Sequence, residues 1–489
     1  MTSLLPDNPT DIVAGNQHWG HATSKDLYHW DNQKIAIFPD KPGDAIFSGS
    51  AVVDVNNTSG FFPTQNNGVV AIYTKNTEKE QVQEIAYSID GGYTFTKYAN
   101  NPVISIGSNQ FRDPKVLFHQ PTKNWVMVVA YAQEYTIGIY TSPNLKEWSH
   151  ASNFSHHGLL GIQYECPNMV TMPMEGSNEL MYLLAISINP GAPVGGSITQ
   201  YFPGSFNGTH FEAVDGAARI ADFGKDNYAG QFFYGIPDGE KQVSIGWASN
   251  WQYSQIVPTG SAEGWRSSMT LPRINYLKNI TRLGYDMVSK PYKIETVYDQ
   301  QMVKNDSCAN TSIVVDYKNL QSGAIYFQMN VTGIPVANTT GTANFTFTAS
   351  ESGESISGGF YFGGDSPFWI NRGKISGFDN PFFTDKFSTN NLLTDAGTWS
   401  MEGVIDRSIL EIFLDGGDRS ATNTFFPTKR LDRLEISTGD LNPGVQVSVH
   451  VWALKSAWAE KSDANGIVNG NRTMPAMNGG KVRRGRYVM

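Results

Sequence analysis

Two short segments carry side chains that could do chemistry together. Phe111-Arg112-Asp113-Pro114-Lys115 sets an arginine beside an aspartate ahead of a proline, and Gln163-Tyr164-Glu165-Cys166-Pro167 sets a glutamate between an aromatic ring and a thiol. A glutamate flanked in that way is desolvated, and desolvation raises the pKa of a carboxyl group. An aspartate beside a guanidinium stays ionised and accepts hydrogen bonds from hydroxyl groups. One carboxyl that keeps its proton and one that does not is the pairing that glycosidic cleavage uses, with the two groups about 5 to 5.5 Å apart in retaining enzymes. Taken singly, each segment reads equally well as a salt bridge within a sheet or a carboxylate at a strand end.

Aromatic density points the same way. Trp247, Trp251 and Trp265 lie within one short stretch, Gly246-Trp247-Ala248-Ser249-Asn250-Trp251-Gln252-Tyr253 followed by Gly264-Trp265-Arg266-Ser267. Indole faces stack on sugar C–H surfaces, and they also fill cores. There is no phosphate-binding loop and no His-Glu-x-x-His, and His156-His157 stands alone as a solvated pair, so neither metal nor cofactor is expected.

The elements that must position these groups follow from a degenerate repeat. Ala22-Thr23-Ser24-Lys25-Asp26-Leu27-Tyr28-His29-Trp30, Tyr87-Ser88-Ile89-Asp90-Gly91-Gly92-Tyr93-Thr94-Phe95 and Tyr140-Thr141-Ser142-Pro143-Asn144-Leu145-Lys146-Glu147-Trp148 each join a strand end, a turn led by Asp or Asn, and an aromatic that packs back. Gly204-Ser205-Phe206-Asn207-Gly208-Thr209-His210-Phe211 is a looser fourth copy. Between the turns lie short β-branched and aromatic runs such as Val69-Val70-Ala71-Ile72-Tyr73 and Trp125-Val126-Met127-Val128-Val129-Ala130-Tyr131. Short strands in a unit repeated every ~50 to 65 residues suggest a β-propeller of four to five blades; a pair of β-sandwiches is the alternative. Further on, Ser408-Ile409-Leu410-Glu411-Ile412-Phe413-Leu414 and Val445-Gln446-Val447-Ser448-Val449-His450-Val451-Trp452 alternate with period two, as in a β-sandwich. The expected organisation is all-β: propeller 1–275, linker 276–310, sandwich 311–458, and a Gly/Asn-rich disordered tail 459–489.

Composition agrees. The 489 residues hold 36 Lys+Arg against 45 Asp+Glu, and only 17% are charged, against a typical ~25%, while 12% are aromatic. That balance disfavours coiled coils, disorder and nucleic-acid binding, and favours a neutral, hydroxyl-rich small molecule as partner. No stretch approaches a membrane span, and homo-oligomerisation is left open. Cys166 and Cys308 are too few for a disulfide scaffold. Asn-X-Ser/Thr sequons stand at Asn56, Asn57, Asn153, Asn207, Asn279, Asn305, Asn310, Asn330, Asn338, Asn344 and Asn471, which reads either as glycosylation in a secretory route or as chance in an Asn/Thr-rich chain. The opening Met1-Thr2-Ser3-Leu4-Leu5-Pro6-Asp7 lacks the features of a signal peptide.

Phe47-Ser48-Gly49-Ser50, Phe111-Arg112-Asp113-Pro114, Tyr164-Glu165-Cys166-Pro167, Ser187-Ile188-Asn189-Pro190-Gly191-Ala192-Pro193 and Asp406-Arg407-Ser408, in that order, closely resemble glycoside hydrolase family 32, and fungal invertases and exo-inulinases within it. The resemblance runs from about Asn8 to Trp458. It implies a five-bladed propeller, a C-terminal β-sandwich and retaining hydrolysis of terminal β-D-fructofuranosides such as sucrose, outside the cell or in its wall. It matches Asp113 to the carboxylate that binds fructose hydroxyls and stabilises the transition state, and Glu165 to the acid/base. Arg112, Phe47, Ser48 and Trp251 match positions lining the fructose pocket, and Cys166 the thiol beside the acid/base. The family's nucleophile lies in a Trp-Met-Asn-Asp-Pro-Asn-Gly motif, which this chain does not contain. Asn8 onward resembles the stretch that follows that motif, so the first blade is expected to be incomplete, and neither Asp7 nor Asp11 is taken for the nucleophile. Ala14 stands where exo-inulinases have a pocket tryptophan. A sugar-binding relative without catalysis and a fructosyltransferase remain the alternatives.

Overall fold

The repeated turns work as small machines of capping. In the first, Asp26 accepts from the Tyr28 and His29 amides at 2.9 and 2.8 Å, Leu27 takes a left-handed φ of 70°, and the Trp30 indole donates back to the Leu27 carbonyl at 2.9 Å. In the third, Asn144 accepts from Lys146 and Glu147, Leu145 sits at φ 65°, and the Trp148 indole donates to Leu145 at 2.9 Å. Asp90 and Asn207 gather amides in the same manner. A short polar side chain that satisfies its own turn amides is what lets a hairpin reverse here.

Each of these turns joins two neighbouring strands of one antiparallel sheet. The computed structural model describes residues 2–280, 284–391, 393 and 397–457, with side chains from residue 8 onward. Blade one has three strands, Thr2–Asp7, His18–Ser24 and Trp30–Asn32. Blade two has four, Ala45–Val53, Val69–Asn76, Gln81–Ser88 and Thr96–Lys97. Blade three has Phe111–His119, Asn124–Tyr131, Thr136–Ser142 and Ser149–Ser155. Blade four runs from Tyr164–Pro173 through Leu180–Ile188 and Ile198–Phe206 to Phe211–Ala213, with Arg219–Ile220 added beside it. Blade five has Tyr228–Phe232, Gln242–Trp247, Arg273–Ile280 and Gly284–Pro291. The fold is a five-bladed β-propeller with an incomplete first blade, followed by a β-sandwich of two six-stranded sheets.

Apolar layers hold the blades together. Val70, Ile72 and Ile85 of blade two meet Phe111, Met127 and Val129 of blade three. Val128 and Ile137 of blade three meet Leu184 and Phe202 of blade four. Where blade one meets blade five and the sandwich, a cavity of about 390 Å³ opens, lined by Leu27, Trp30, Ile245 and Val404 among others.

Residues 276–310, expected as a linker, carry strands instead. Asn275 through Ile280 pair with Gly284 through Ser289 to finish blade five, and Tyr298–Asn305 pairs with Gln446–Leu454 in the sandwich. Exposed polar residues at 279, 299, 300, 301 and 304 hide the alternation that a strand leaves in sequence. The tail expected at 459–489 lies outside the described residues. Among the described residues no helix is long and apolar enough to cross a membrane.

Propeller and sandwich meet through buried charge. Arg273 donates to Asp222 at 2.9 Å and to Glu411 at 2.6 Å, all three side chains being at most 5% exposed. Arg372 donates to Asp226 at 2.8 Å and to the Thr424 carbonyl at 2.6 Å. The sandwich's edge strand Arg419–Thr424 also bonds the segment 222–226 through Phe223 N to Ser420 O and Asp226 N to Thr422 O. A buried pair adds little by being present, and removing one partner strands the other. Arg273→Met is therefore expected to cost about 3 to 5 kcal/mol by leaving Asp222 and Glu411 buried without a counter-charge. The melting temperature reads it, and an unchanged melt would mean that the two domains do not depend on this pair.

Candidate active site

The innermost strands of blades two to five all break their ladders at the same place. One extra residue enters between Phe47 and Gly49, between Arg112 and Lys115, between Glu165 and Asn168, and between Tyr228 and Gln231. Three of these bulges hold a non-glycine residue in the left-handed region, Asp113 at φ 66°, Cys166 at 46° and Ala229 at 51°. In the fourth, a Cβ on Gly49 would stand 2.1 Å from the Ile72 carbonyl oxygen, so only glycine fits. A regular strand sends successive side chains to opposite faces, and a bulge re-aims them.

The bulges gather a compact polar cluster. Glu165 Oε1 accepts from Arg112 Nε at 3.2 Å and Nη2 at 3.0 Å, and its Oε2 accepts from the Tyr228 hydroxyl. Arg112 is itself steered by Gln110, Gln163 and Gln81, at 2.9, 2.9 and 3.2 Å. Asp113 accepts from the Cys166 amide at 2.9 Å and from its thiol at 3.5 Å, while the Asp113 amide donates to Thr74 Oγ1 at 3.0 Å. The Glu165 side chain keeps 16% of its exposure. Its pKa is raised, first by burial and then by the charge of Asp113, against the opposing pull of Arg112 and Tyr228. Burial, then the charges of Asp113 and Glu165, pushes the Cys166 thiol up as well.

One expectation about neighbours needs correcting. Tyr164 does not cover Glu165: its ring is fully buried between blades three and four, and its hydroxyl donates to the His157 carbonyl at 2.6 Å. Alternation along the strand puts residues 164 and 165 on opposite faces. Arg112 hydrogen-bonds Glu165 across the blade boundary, while against the effect of burial the charge of the adjacent Asp113 also raises its pKa. Phe47 and Ser48 are half-buried in the blade-two bulge, where the Phe47 carbonyl accepts from the Trp19 indole at 2.8 Å. Trp251 stands further out and 38% exposed, reaching the cluster through Trp247, whose ring lies 5.0 Å from Trp251 and 6.1 Å from Tyr228. His156 and His157 sit exposed against Tyr135 and Phe154. Among the described residues no group of His, Cys, Asp and Glu could hold a metal ion.

The model of the glycosyl hydrolases family 32 N-terminal domain matches residues 7–291, and that of the family's C terminal matches 290–453. The chain belongs to glycosyl hydrolase family 32. It is similar to an extracellular exo-inulinase of Meyerozyma guilliermondii, 44% identical over 450 residues covering 88% of this chain and 86% of that one. It is also similar to invertase 2 of Saccharomyces cerevisiae, 40% identical over 472 residues with the same coverage. A solved fructofuranosidase of Schwanniomyces occidentalis, complexed with fructose, superposes with a TM-score of 0.85 at 38% identity, covering 93% of this chain and 92% of that one.

Within this family frame, the cluster contains residues that sequence reasoning passed over. Tyr228, Thr74, Gln81 and Gln110 fix the charged groups yet belong to no segment with an evident chemical signature, and Gln163 opens the glutamate segment without a role of its own being evident there. One signal was present: an aromatic opens each bulge, at Phe47, Phe111, Tyr164 and Tyr228, in step with the turn aromatics at 30, 95, 148 and 211. Tyr228 is buried and neutral, with its pKa raised by burial and then by Glu165. Its hydrogen bond favours the ionised form of Glu165, so Tyr228→Phe is expected to raise the pKa of Glu165 further. Carboxyl ¹³C NMR, with the Glu165 signal assigned by its loss in Glu165→Gln, reads the shift. A titration moving to lower pH would mean that Tyr228 does not stabilise the carboxylate.

Proposed function

We propose that the protein is a retaining glycosidase of terminal β-D-fructofuranosides, sucrose and inulin-type fructans among them, acting outside the cell. Glu165 is the acid/base, and Asp113 accepts hydrogen bonds from the fructose hydroxyls and stabilises the transition state. The observation that carries this reading is the unequal pair of carboxyls: Glu165 with its pKa raised by burial, and Asp113 held by the Cys166 amide beside it. The exo-inulinase and invertase names of the relatives, and the fructose in the Schwanniomyces complex, support the substrate class.

Arg112 occupies Oε1 of Glu165, which leaves the oxygen beside Tyr228 to carry the proton. That proton passes to the glycosidic oxygen as the bond to the anomeric carbon breaks, so the leaving sugar departs as an alcohol and the positive charge developing on the fructosyl ring faces Asp113. Glu165 then takes a proton from the incoming water, or from a sugar hydroxyl when fructosyl transfer competes. Phe47, Ser48, Cys166 and Trp251 complete the walls and rim of the fructose pocket in this reading. Retention also needs a carboxylate on the far face of the anomeric carbon. In the family that this chain resembles, that carboxylate belongs to the Trp-Met-Asn-Asp-Pro-Asn-Gly motif, which these 489 residues do not contain. A sugar-binding chain that does not turn over is the second reading.

Release of glucose and fructose from sucrose separates the readings. It is measured for the chain as it stands and for a version extended upstream with the family's Trp-Met-Asn-Asp-Pro-Asn-Gly motif. The extended form is expected to hydrolyse sucrose, and Glu165→Gln within it to lose roughly 10² to 10⁴ in kcat. Hydrolysis by the unextended chain would mean that another carboxylate attacks the anomeric carbon. Silence in both would leave the sugar-binding reading.

A further inference from the structure

One step further along the strands that carry the carboxyl cluster lies a second set of polar side chains, which the chemistry proposed above does not use. Each follows a bulge: Ser50 after Gly49, Lys115 after Asp113 and Pro114, and Asn168 after Cys166 and Pro167. All three are buried, Asn168 completely, and each reaches into another blade. Ser50 Oγ donates to the Pro114 carbonyl and accepts from the Val116 amide, both at 3.0 Å, and so ties blade two to blade three. The other two converge on blade five. Asn168 Nδ2 donates to the Gly230 carbonyl at 3.0 Å, and its Oδ1 accepts from the Phe232 amide at 3.3 Å. Lys115 Nζ donates to the Phe232 carbonyl at 2.6 Å.

The strand they hold has few bonds within its own sheet. Tyr228–Phe232 pairs with Gln242–Trp247 only at Tyr228, Gln231 and Phe232, because the bulge with Ala229 at φ 51° interrupts the ladder. The Gly230 carbonyl that Asn168 holds lies inside that bulge, and Tyr228, which enters the bulge, is the donor on Glu165 Oε2. Lys115 has no other evident use. Burial pushes its pKa down to about 8, and among the described residues no charged neighbour opposes that shift. Taking an ammonium out of water without a counter-charge is unfavourable, so the bond to a single carbonyl is what the fold gains from it.

We propose that Lys115 and Asn168 are positioning residues for the acid/base: by clamping the bulge of blade five they keep the Tyr228 hydroxyl on Glu165. The inference rests on the role of Glu165 proposed above, and adds two residues that act through Tyr228 rather than on the sugar. A clamp matters at this point because a hydroxyl held at hydrogen-bond length favours the ionised carboxyl, whereas the same hydroxyl withdrawn lets Glu165 keep its proton to higher pH.

The test is the titration of Glu165, followed by carboxyl ¹³C NMR in the full chain, for Lys115→Met, Asn168→Leu and Tyr228→Phe, and for the two double variants that combine Tyr228→Phe with each of the others. This readout needs no turnover, whereas the acid/base role itself is read by Glu165→Gln in sucrose hydrolysis, so the two can fail separately. Lys115→Met and Asn168→Leu are each expected to raise the Glu165 midpoint, by roughly 0.5 to 1 pH unit, in the same direction as Tyr228→Phe. Combined with Tyr228→Phe, neither is expected to add to the rise, because the hydroxyl that it positions is gone. An unmoved midpoint in either folded variant overturns the role of that residue. A rise as large without the Tyr228 hydroxyl as with it overturns the positioning role, and for Lys115 would mean that the ammonium acts through its charge. The two substitutions lie in different blades, so where one does not fold the other carries the test.

Discussion

Everything at the centre of this molecule depends on one local departure from regular strand geometry. A pleated strand alternates its side chains, so two neighbouring residues cannot both address a common axis. The extra residue in each inner strand of blades two to five breaks that rule at the same height in every blade. Asp113, Cys166 and Ala229 hold left-handed backbone conformations that cost on the order of 1 to 3 kcal/mol each for non-glycine residues. The surrounding sheets impose those conformations, because the apolar layers between blades two and three and between three and four fix the strands on either side of each bulge. Strain of this kind gathers at functional sites, where it aims side chains that a regular ladder would hide.

The bulges bring charge into a small buried volume, and the cluster is organised so that each group has a partner. Arg112 is surrounded by three glutamine oxygens and one glutamate. Glu165 has a donor on each oxygen, and Asp113 has a backbone amide. The same economy appears at the boundary with the sandwich, where Arg273 and Arg372 answer Asp222, Glu411 and Asp226. Buried ions of this sort specify an arrangement more than they stabilise it, since a misplaced partner leaves an uncompensated charge. The edge strand Arg419–Thr424, which would otherwise offer free backbone groups to solvent, is covered by the propeller segment it bonds.

Legibility differed by element for physical reasons. The turn at Ser24-Lys25-Asp26-Leu27 could be read because an Asp or Asn that caps its own turn does so through residues adjacent in sequence. Residues 276–310 read as a linker because the exposed Asn279, Asp299, Gln300, Gln301 and Lys304 leave no clean alternation in their strands. The carboxyls at 113 and 165 stood out through their neighbours, but the reasons first attached to them were wrong in part. Tyr164 was assigned to cover Glu165 and instead packs in the layer behind it, while the group that covers Glu165, Tyr228, lies a whole blade further along the chain.

The sequence by itself determined the class of the fold, the spacing of the repeated turns, and the family signature carried by the Phe-Arg-Asp-Pro and Tyr-Glu-Cys-Pro segments. Those are properties of residues close together along the chain, where steric preference and turn capping act over a few bonds. The folded chain is what brings Arg112 onto Glu165 across the blade boundary and stands Tyr228 against the same glutamate. Such contacts join residues up to 63 positions apart, as Tyr228 and Glu165 are. They exist because antiparallel pairing and blade-on-blade packing fix distances that no local preference encodes.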